Sequence, residues 1–269
     1  MRPQRLKIGL IGAHLGRSRF GAALRRMAEP QGIALDFALL DTAGDPTPFV
    51  QHLDTAHAAG FRGLAVTHPF KLDAWAQASH RPRHPRASNL LIFGSGITAY
   101  NTDRAGFVAA WRARFGDRAP GLVAMAGAGG VALALTAALR DLGAERIRVW
   151  DPVPGRAQAF AQLPGAEPVD VTEMADAMRA ADGLVNASPL GQFHIGGTAF
   201  PPALIGGQSW AFDAVYTPVE TPFIGASRAR GLAVLTGFDL FRHMAAESFR
   251  HLTGCPADPE SLRDLLPVP

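Results

Sequence analysis

Short apolar blocks alternate along this chain with segments that glycine, proline and charge break up. Lys7 to Ile11, Leu35 to Leu40 and Gly63 to Val66 have the length and composition of buried strands. Phe20 to Ala28 and Pro48 to Ala59 read as helices between them, and Gly12 to Ser18 as a loop. Leu90 to Phe93 and Ile97 to Tyr100 are short strands joined by the hairpin-like turn Gly94-Ser95-Gly96. A helix then runs to Phe115, with Thr102 or Asp103 as its cap. Further on, Pro154 to Gln162 and Val171 to Ala180 read as helices and Gly183 to Asn186 as a strand. Trp210 to Ala214 and Ala233 to Leu235 follow as strands, with a helix from Thr221 to Arg230 and another from Asp239 to Leu252. Strands alternating with helices predict a mostly parallel sheet of the α/β class.

The stretch from Leu122 to Asp151 is the most specific. An apolar strand, Leu122 to Ala126, meets Gly127-Ala128-Gly129-Gly130, then an Ala/Leu-rich helix to Leu142 with Gly143 at its end. A second strand, Ile147 to Trp150, ends in Asp151, 24 residues after Gly127. This is the order of a dinucleotide-binding βαβ unit. Gly127 permits the tight turn, Gly129 leaves room for a pyrophosphate, and Ala132 lets helix and strand pack closely. The helix N-terminus offers free N–H groups to phosphate. The Asp151 carboxylate suits ribose hydroxyls and repels a 2′-phosphate, so NAD is expected rather than NADP. A glycine turn in some other α/β domain is the alternative. The earlier glycines, Gly9, Gly12 and Gly16, lack the fingerprint spacing.

Composition narrows the class further. Of 269 residues, 48% are apolar and 18% charged, which supplies a sizeable core and argues against global disorder. The net charge is +3, almost all of its cations are arginine, and the only lysines are Lys7 and Lys71. A mild basic balance without a dense basic run suits a small anionic substrate and gives no reason to expect nucleic acid. One cysteine, Cys255, excludes an internal disulfide and points to a reducing cytoplasm. The N-terminal apolar core is too short for a signal peptide, and no segment is long enough for a membrane span. No metal site is expected, and a homodimer is left open.

Lys71 follows a strand end in a chain that otherwise uses arginine, which suggests an amine whose proton must be exchangeable. Taken singly, Lys71 also reads as a surface lysine, Asp103 as a helix cap, Asn89 as a turn residue and Tyr216 as core.

Several separated segments, in order along nearly the whole chain, resemble the quinate/shikimate dehydrogenase family. They are Val66-Thr67-x-Pro69-x-Lys71, Asn101-Thr102-Asp103-x-x-Gly106, Gly127-Ala128-Gly129-Gly130 and Asn186-Ala187-Ser188-Pro189-x-Gly191. Asp213-x-x-Tyr216-x-Pro218-x-x-Thr221, then Gly231, Gly237 and Phe249-x-x-x-Thr253-Gly254, extend the match. Trp150-Asp151-Pro152-Val153-Pro154-Gly155-Arg156-Ala157 resembles the NAD-preferring branch. The resemblance implies an NAD-dependent alcohol dehydrogenase with Lys71 and Asp103 as its catalytic pair. It implies substrate contacts from Ser18, Thr67, Asn89 and Tyr216, and cofactor contacts from Gly127 to Gly130, Asp151, Asn186, Ala187, Ser188, Pro189 and Gly237. It also implies a two-domain α/β fold. A mixed-sheet substrate domain, residues 1–103 completed by the C-terminal helix 239–269, accompanies a Rossmann-type doubly wound parallel-sheet domain, residues 104–238. The reaction is then expected in the cleft between them.

This chain departs from the family pattern at identifiable places. Phe20, Gly21, Leu24 and Arg25 stand where a second hydroxyl residue, a proline and a His-Asn or His-Glu pair are usual. Ala65 replaces an asparagine, and Met244 replaces a substrate-binding glutamine. The substrate is therefore expected to be shikimate, quinate or a less polar cyclic hydroxy acid, with Arg17, Arg19 or Arg25 as an alternative carboxylate clamp. The competing class is a non-catalytic NAD- or metabolite-binding protein of the same fold.

Overall fold

The computed structural model describes residues 5–193 and 195–265. Residues 5–105 together with 242–265 cluster as one compact unit, and residues 106–241 as a second. The chain begins with β1 (Leu6–Gly12), α1 (Phe20–Ala28), β2 (Leu35–Asp41), α2 (Phe49–Ala58) and β3 (Gly63–Val66). Next come α3 (Lys71–Gln77), β4 (Leu90–Phe93), β5 (Ile97–Tyr100) and α4 (Thr102–Phe115). The second unit continues with β6 (Leu122–Ala126), α5 (Gly130–Asp141), β7 (Arg146–Trp150), β8 (Ala166–Pro168), α6 (Met174–Ala180) and β9 (Gly183–Asn186). It ends with β10 (Trp210–Asp213), α7 (Pro222–Ala229) and β11 (Ala233–Leu235), before α8 (Gly237–Thr253) returns to the first unit.

The first unit holds a mixed five-stranded sheet in the order β2-β1-β3-β4-β5. β1 pairs in parallel with β2 and β3, and β4 runs antiparallel to both of its neighbours. β3 and β4 are buried along their whole length, as their apolar runs require. The second unit holds a wholly parallel six-stranded sheet in the order β11-β10-β9-β6-β7-β8. Counted from β6, the order reads 6-5-4-1-2-3, that of the doubly wound dinucleotide-binding sheet. Its register aligns Ala126 with both Trp150 and Asn186, and Asn186 with Asp213, so those four residues end neighbouring strands side by side. The α/β class, with one mixed and one all-parallel sheet, is the architecture expected from the strand–helix alternation.

In the second unit the two buried indoles Trp111 and Trp210 meet edge to face at 4.7 Å. Such a pair adds about 0.5–1.5 kcal/mol beyond the area it buries. Trp210 lies opposite Gly183 in the β9–β10 pairing, and a Cβ at Gly183 would collide with its indole.

Two expected helices need correction, and two short elements were not expected. Lys71–Gln77 is a helix; with Ala74 as its only buried residue it carries no apolar stripe to announce it. Pro154 to Gln162 is not a continuous helix: Gly155 takes φ +77°, and only Ala157–Gln162 coils, as a 3-10 turn. Val171 to Ala180 divides into a 3-10 turn, Val171–Glu173, and α6, the turn held by a capping box between Asp170 and Glu173. The three-residue edge strand Ala166–Pro168 ends in proline, which donates nothing to a ladder, and the sequence pattern did not reveal it.

Candidate active site

Lys71 begins α3, directly after the turn that ends β3. That turn is pinned by Thr67 N–H donating to Ile11 O at 3.0 Å, Phe70 N–H to Thr67 O at 3.0 Å and Ala13 N–H to His68 O at 2.9 Å. Ser88 N–H donates to Lys71 O at 2.8 Å and fixes the lysine backbone from the β4 side. Asp103 occupies the first turn of α4, just beyond β5. The two side chains meet, with Lys71 Nζ 2.5 Å from Asp103 Oδ2 and exposures of 18% and 9%. A pair this far withdrawn from solvent is screened less by salt than one at the surface.

The cap of α4 is neither Thr102 nor Asp103. Asn101 precedes the helix, and its Oδ1 accepts Arg104 N–H at 2.9 Å. Thr102 is instead bound to Asn89, whose Oδ1 accepts Thr102 N–H at 2.7 Å while its Nδ2 donates to Thr102 Oγ1 at 2.9 Å. Thr102 Oγ1 also shares a hydrogen bond with Ser248 Oγ on α8, at 2.8 Å. Ser248 Oγ in turn lies 3.6 Å from Met244 Sδ, one helical turn back. Position 244 therefore sits beside the polar network around Thr102, the residue before Asp103. Ser248, 146 residues from Thr102, was not among the sequence candidates.

Ser18 and Thr67 lie beyond the C-terminal ends of the adjacent parallel strands β1 and β3. Ser18 Oγ accepts Phe20 N–H at 3.3 Å, two residues before α1 begins. The loop before it is held by Asp41, which accepts His14 N–H at 3.0 Å and Leu15 N–H at 2.8 Å. Together with Ala43 N–H, the leading cause, these donors hold the Asp41 carboxyl below the usual carboxylate range. A Cβ on Gly12 would crowd the Thr67 methyl and stand 2.8 Å from His68 O, so only glycine lets these loops close up.

Two of the departures from the family pattern are core positions. Phe20 and Leu24 are buried, Phe20 tilted against Phe37 at 6.2 Å, so they replace polar residues with core. The arginine alternatives have other partners: Arg19 Nη1 donates to Leu265 O at 3.0 Å, and the Arg25 guanidinium lies 5.8 Å from the Phe37 ring centre. The Arg17 side chain falls outside the described residues.

In the second unit the glycine turn sits where the sheet order reverses, between β6 and β9. Gly127 has φ +98°, and a Cβ there would stand 2.7 Å from Ser188 N and 2.8 Å from Ala187 O. Gly129 precedes α5 with nothing within 4 Å of where its Cβ would be. Ala132 is fully buried against the sheet. Open space over a glycine at a helix N-terminus of this length is a cradle that fits a pyrophosphate. Asp151 stands at the end of β7, its side chain 7% exposed. Its Oδ2 accepts Ala128 N–H and its Oδ1 accepts Val153 N–H, each at 2.9 Å. The acid thus braces the glycine turn directly, a role the spacing alone did not disclose. Its remaining lone pairs are free in number to accept ribose hydroxyls.

The third loop, after β9, is organised by Asn186, which has no exposed surface. Pro189 projects at the surface of this loop and Ser188 is half-buried. Gly237 opens α8, and a Cβ there would strike Val215 O at 2.6 Å and Ala214 O at 2.7 Å. Tyr216, in this second unit, stacks on Phe241 at 5.1 Å and is half-buried.

A glycine turn at the switch point of a parallel sheet, with a Lys–Asp pair on a separate mixed-sheet unit, is an unusual conjunction. The chain is 33% identical to the quinate/shikimate dehydrogenase (NAD(+)) of Corynebacterium efficiens, over an alignment that covers 95% of each. The chain belongs to the quinate/shikimate dehydrogenase family. The shikimate dehydrogenase (NADP(+)) of an Arthrobacter species is 32% identical over 97% of this chain and 94% of its own. Among solved structures, quinate dehydrogenase from Corynebacterium glutamicum in complex with NAD matches with a TM-score of 0.89 and 31% identity, covering 97% of this chain and 98% of that one. No family model matches the chain. Among the described residues no group of His, Cys, Asp or Glu is arranged to hold a metal ion, and no helix is long and apolar enough to cross a membrane.

Proposed function

We propose that this family member is an NAD-dependent alcohol dehydrogenase acting on a ring hydroxyl of a cyclic hydroxy acid: quinate, shikimate or a less polar relative. The observation that carries this reading is the contact between Lys71 Nζ and Asp103 Oδ2 at 2.5 Å. Bound NAD supplies the hydride acceptor. As hydride leaves the carbinol carbon, the hydroxyl proton must also leave. The Lys71 amine is the group that exchanges that proton, and its ammonium form offsets negative charge building on the oxygen. Asp103 accepts a hydrogen bond from the substrate and keeps Nζ from swinging away.

Ser18, Thr67 and Asn89, with Tyr216, are assigned to the ring hydroxyls and carboxylate of a small anionic substrate. The backbone of residues 127–130 is assigned to the pyrophosphate and Asp151 to the adenosine ribose. Asn186, Ala187, Ser188, Pro189 and Gly237 are assigned to the nicotinamide side. The carboxylate of Asp151, already directed at the glycine turn, disfavours a 2′-phosphate and supports NAD. We place the protein in the cytoplasm because its single cysteine leaves no internal disulfide to maintain.

The test is a panel of cyclic hydroxy acids at fixed NAD, read by the absorbance of the reduced cofactor. Reduction with at least one ring hydroxy acid is expected. Tight NAD binding with no turnover across the panel would leave a nucleotide-binding protein without this activity.

A further inference from the structure

The second unit buries one carboxylate that the proton and hydride chemistry does not use. Asp213 ends β10 with no exposed surface. It collects three donors: Thr221 Oγ1 at 2.6 Å, Val215 N–H at 2.9 Å and Asn186 Nδ2 at 2.9 Å. Desolvation pushes its carboxyl up to about 6, opposed by those three hydrogen bonds, and no charged side chain contributes. The Thr221 hydroxyl also accepts Ile224 N–H at 3.2 Å as the cap of α7, so its donor direction is fixed.

Asn186 passes this arrangement on. Its Oδ1 accepts Ser188 N–H at 3.0 Å and Ser188 Oγ at 2.7 Å, and its Nδ2 also donates to Leu190 O at 2.9 Å. An amide can be turned end for end, exchanging oxygen and nitrogen at almost no steric cost. Turned that way, Asn186 would aim its NH2 at the Ser188 N–H and release the loop. An ionised carboxylate only accepts, so Asp213 draws Nδ2 toward itself and leaves Oδ1 facing Ser188. The loop so held presses on the glycine turn, Ser188 N standing 2.7 Å from where a Gly127 Cβ would be.

We propose that Asp213 is a positioning residue for the dinucleotide: by fixing the orientation of the Asn186 amide it holds the 187–191 loop against the Gly127 turn. This rests on the reading that the second unit binds NAD. An asparagine at 213 keeps the shape but loses the charge and one acceptor: its NH2 must face either the Thr221 hydroxyl or the Val215 N–H and Asn186 Nδ2, so the grip on the Asn186 amide weakens.

The experiment titrates NAD calorimetrically into wild type, Asp213→Asn, Thr221→Val and Thr221→Ser. Amide hydrogen exchange over residues 187–191 is followed in the same proteins. Asp213→Asn is expected to weaken NAD at least tenfold and to speed exchange in the loop. Thr221→Val should show a smaller loss in the same direction, and Thr221→Ser, which keeps the hydroxyl, should match wild type. An Asp213→Asn protein with NAD affinity within twofold of wild type, or with weakened affinity but unaltered loop exchange, overturns the proposal. If Asp213→Asn does not fold, Thr221→Val decides, and wild-type affinity in that variant overturns it. Wild type that takes up no NAD would show instead that the underlying reading is wrong, before any variant is compared.

Discussion

Lys71 Nζ and Asp103 Oδ2 stand 2.5 Å apart although 32 residues separate them in the chain. One begins α3 after β3, the other lies in the first turn of α4 after β5, and the antiparallel β3-β4-β5 run brings these ends together. Asp103→Asn keeps the shape and one acceptor but removes the charge opposite the ammonium. Its kcat should fall about 10²–10³-fold, within the range of general acid–base contributions. Steady-state rates at saturating NAD check this, with NAD affinity expected to stay near wild type.

Met244, where the family resemblance implies a glutamine, lies next to Ser248 and hence to the Thr102–Asn89 network. A thioether offers a polyhydroxylated ring almost nothing, whereas a site hydrogen bond discriminates by about 1–3 kcal/mol per buried group. Met244→Gln should raise kcat/KM for quinate or shikimate roughly tenfold. Comparison of the two proteins on the same panel measures it, and an unchanged ratio would mean that position 244 does not meet the substrate.

Asp151 braces Ala128 and Val153, and the proposed NAD preference gives it a second task, repelling a 2′-phosphate. Asp151→Ala should weaken NAD about tenfold or more through the released glycine turn. It should narrow the NAD-over-NADP preference, since the repulsion disappears and Arg156 lies nearby, 4.0 Å from Asp151 Oδ1. Kd values for both cofactors, taken in parallel, give both effects.

The buried Asp213 carries a pH signature in stability. Its carboxyl is raised from 3.8 to about 6, chiefly by desolvation. The folded protein therefore holds this proton more tightly than the unfolded chain. Its contribution to stability is fully present below about pH 4 and is lost as pH rises through about 6. A shift of this size corresponds to a change on the order of 3 kcal/mol. Asp213→Asn lacks this group, so the stability of wild type relative to the variant should decline between pH 4 and pH 6 and then level off. Urea denaturation of both proteins across that window reads it directly.

Much of this was visible in the chain because the residues concerned obey local constraints. Gly127 needs both a positive φ and the absence of a side chain, and the strand, helix and acid around it lie within 30 residues. The same locality made the hairpin through Gly94 to Gly96 and the apolar strands legible. What escaped depends on distant partners or on very short elements. Ser248 reaches Thr102 across 146 residues, and no pattern near either one signals the contact. Asp213 appeared only inside a motif; its burial and its hold on Asn186 follow from the register of β9 and β10. The seven-residue helix α3 has too little buried surface to mark the sequence. Asp151 was recognised for its position, but its bonds to Ala128 and Val153 became evident only in three dimensions.

The proposed chemistry depends most on the amine of Lys71, and the rate of NAD reduction by Lys71→Ala, measured on the best substrate of the panel, tests it most directly. A loss of about 10²–10⁴ in kcat, with NAD Kd unchanged and the fold intact, is the predicted result. A Lys71→Ala protein that still turns over within a few-fold of wild type would contradict the account.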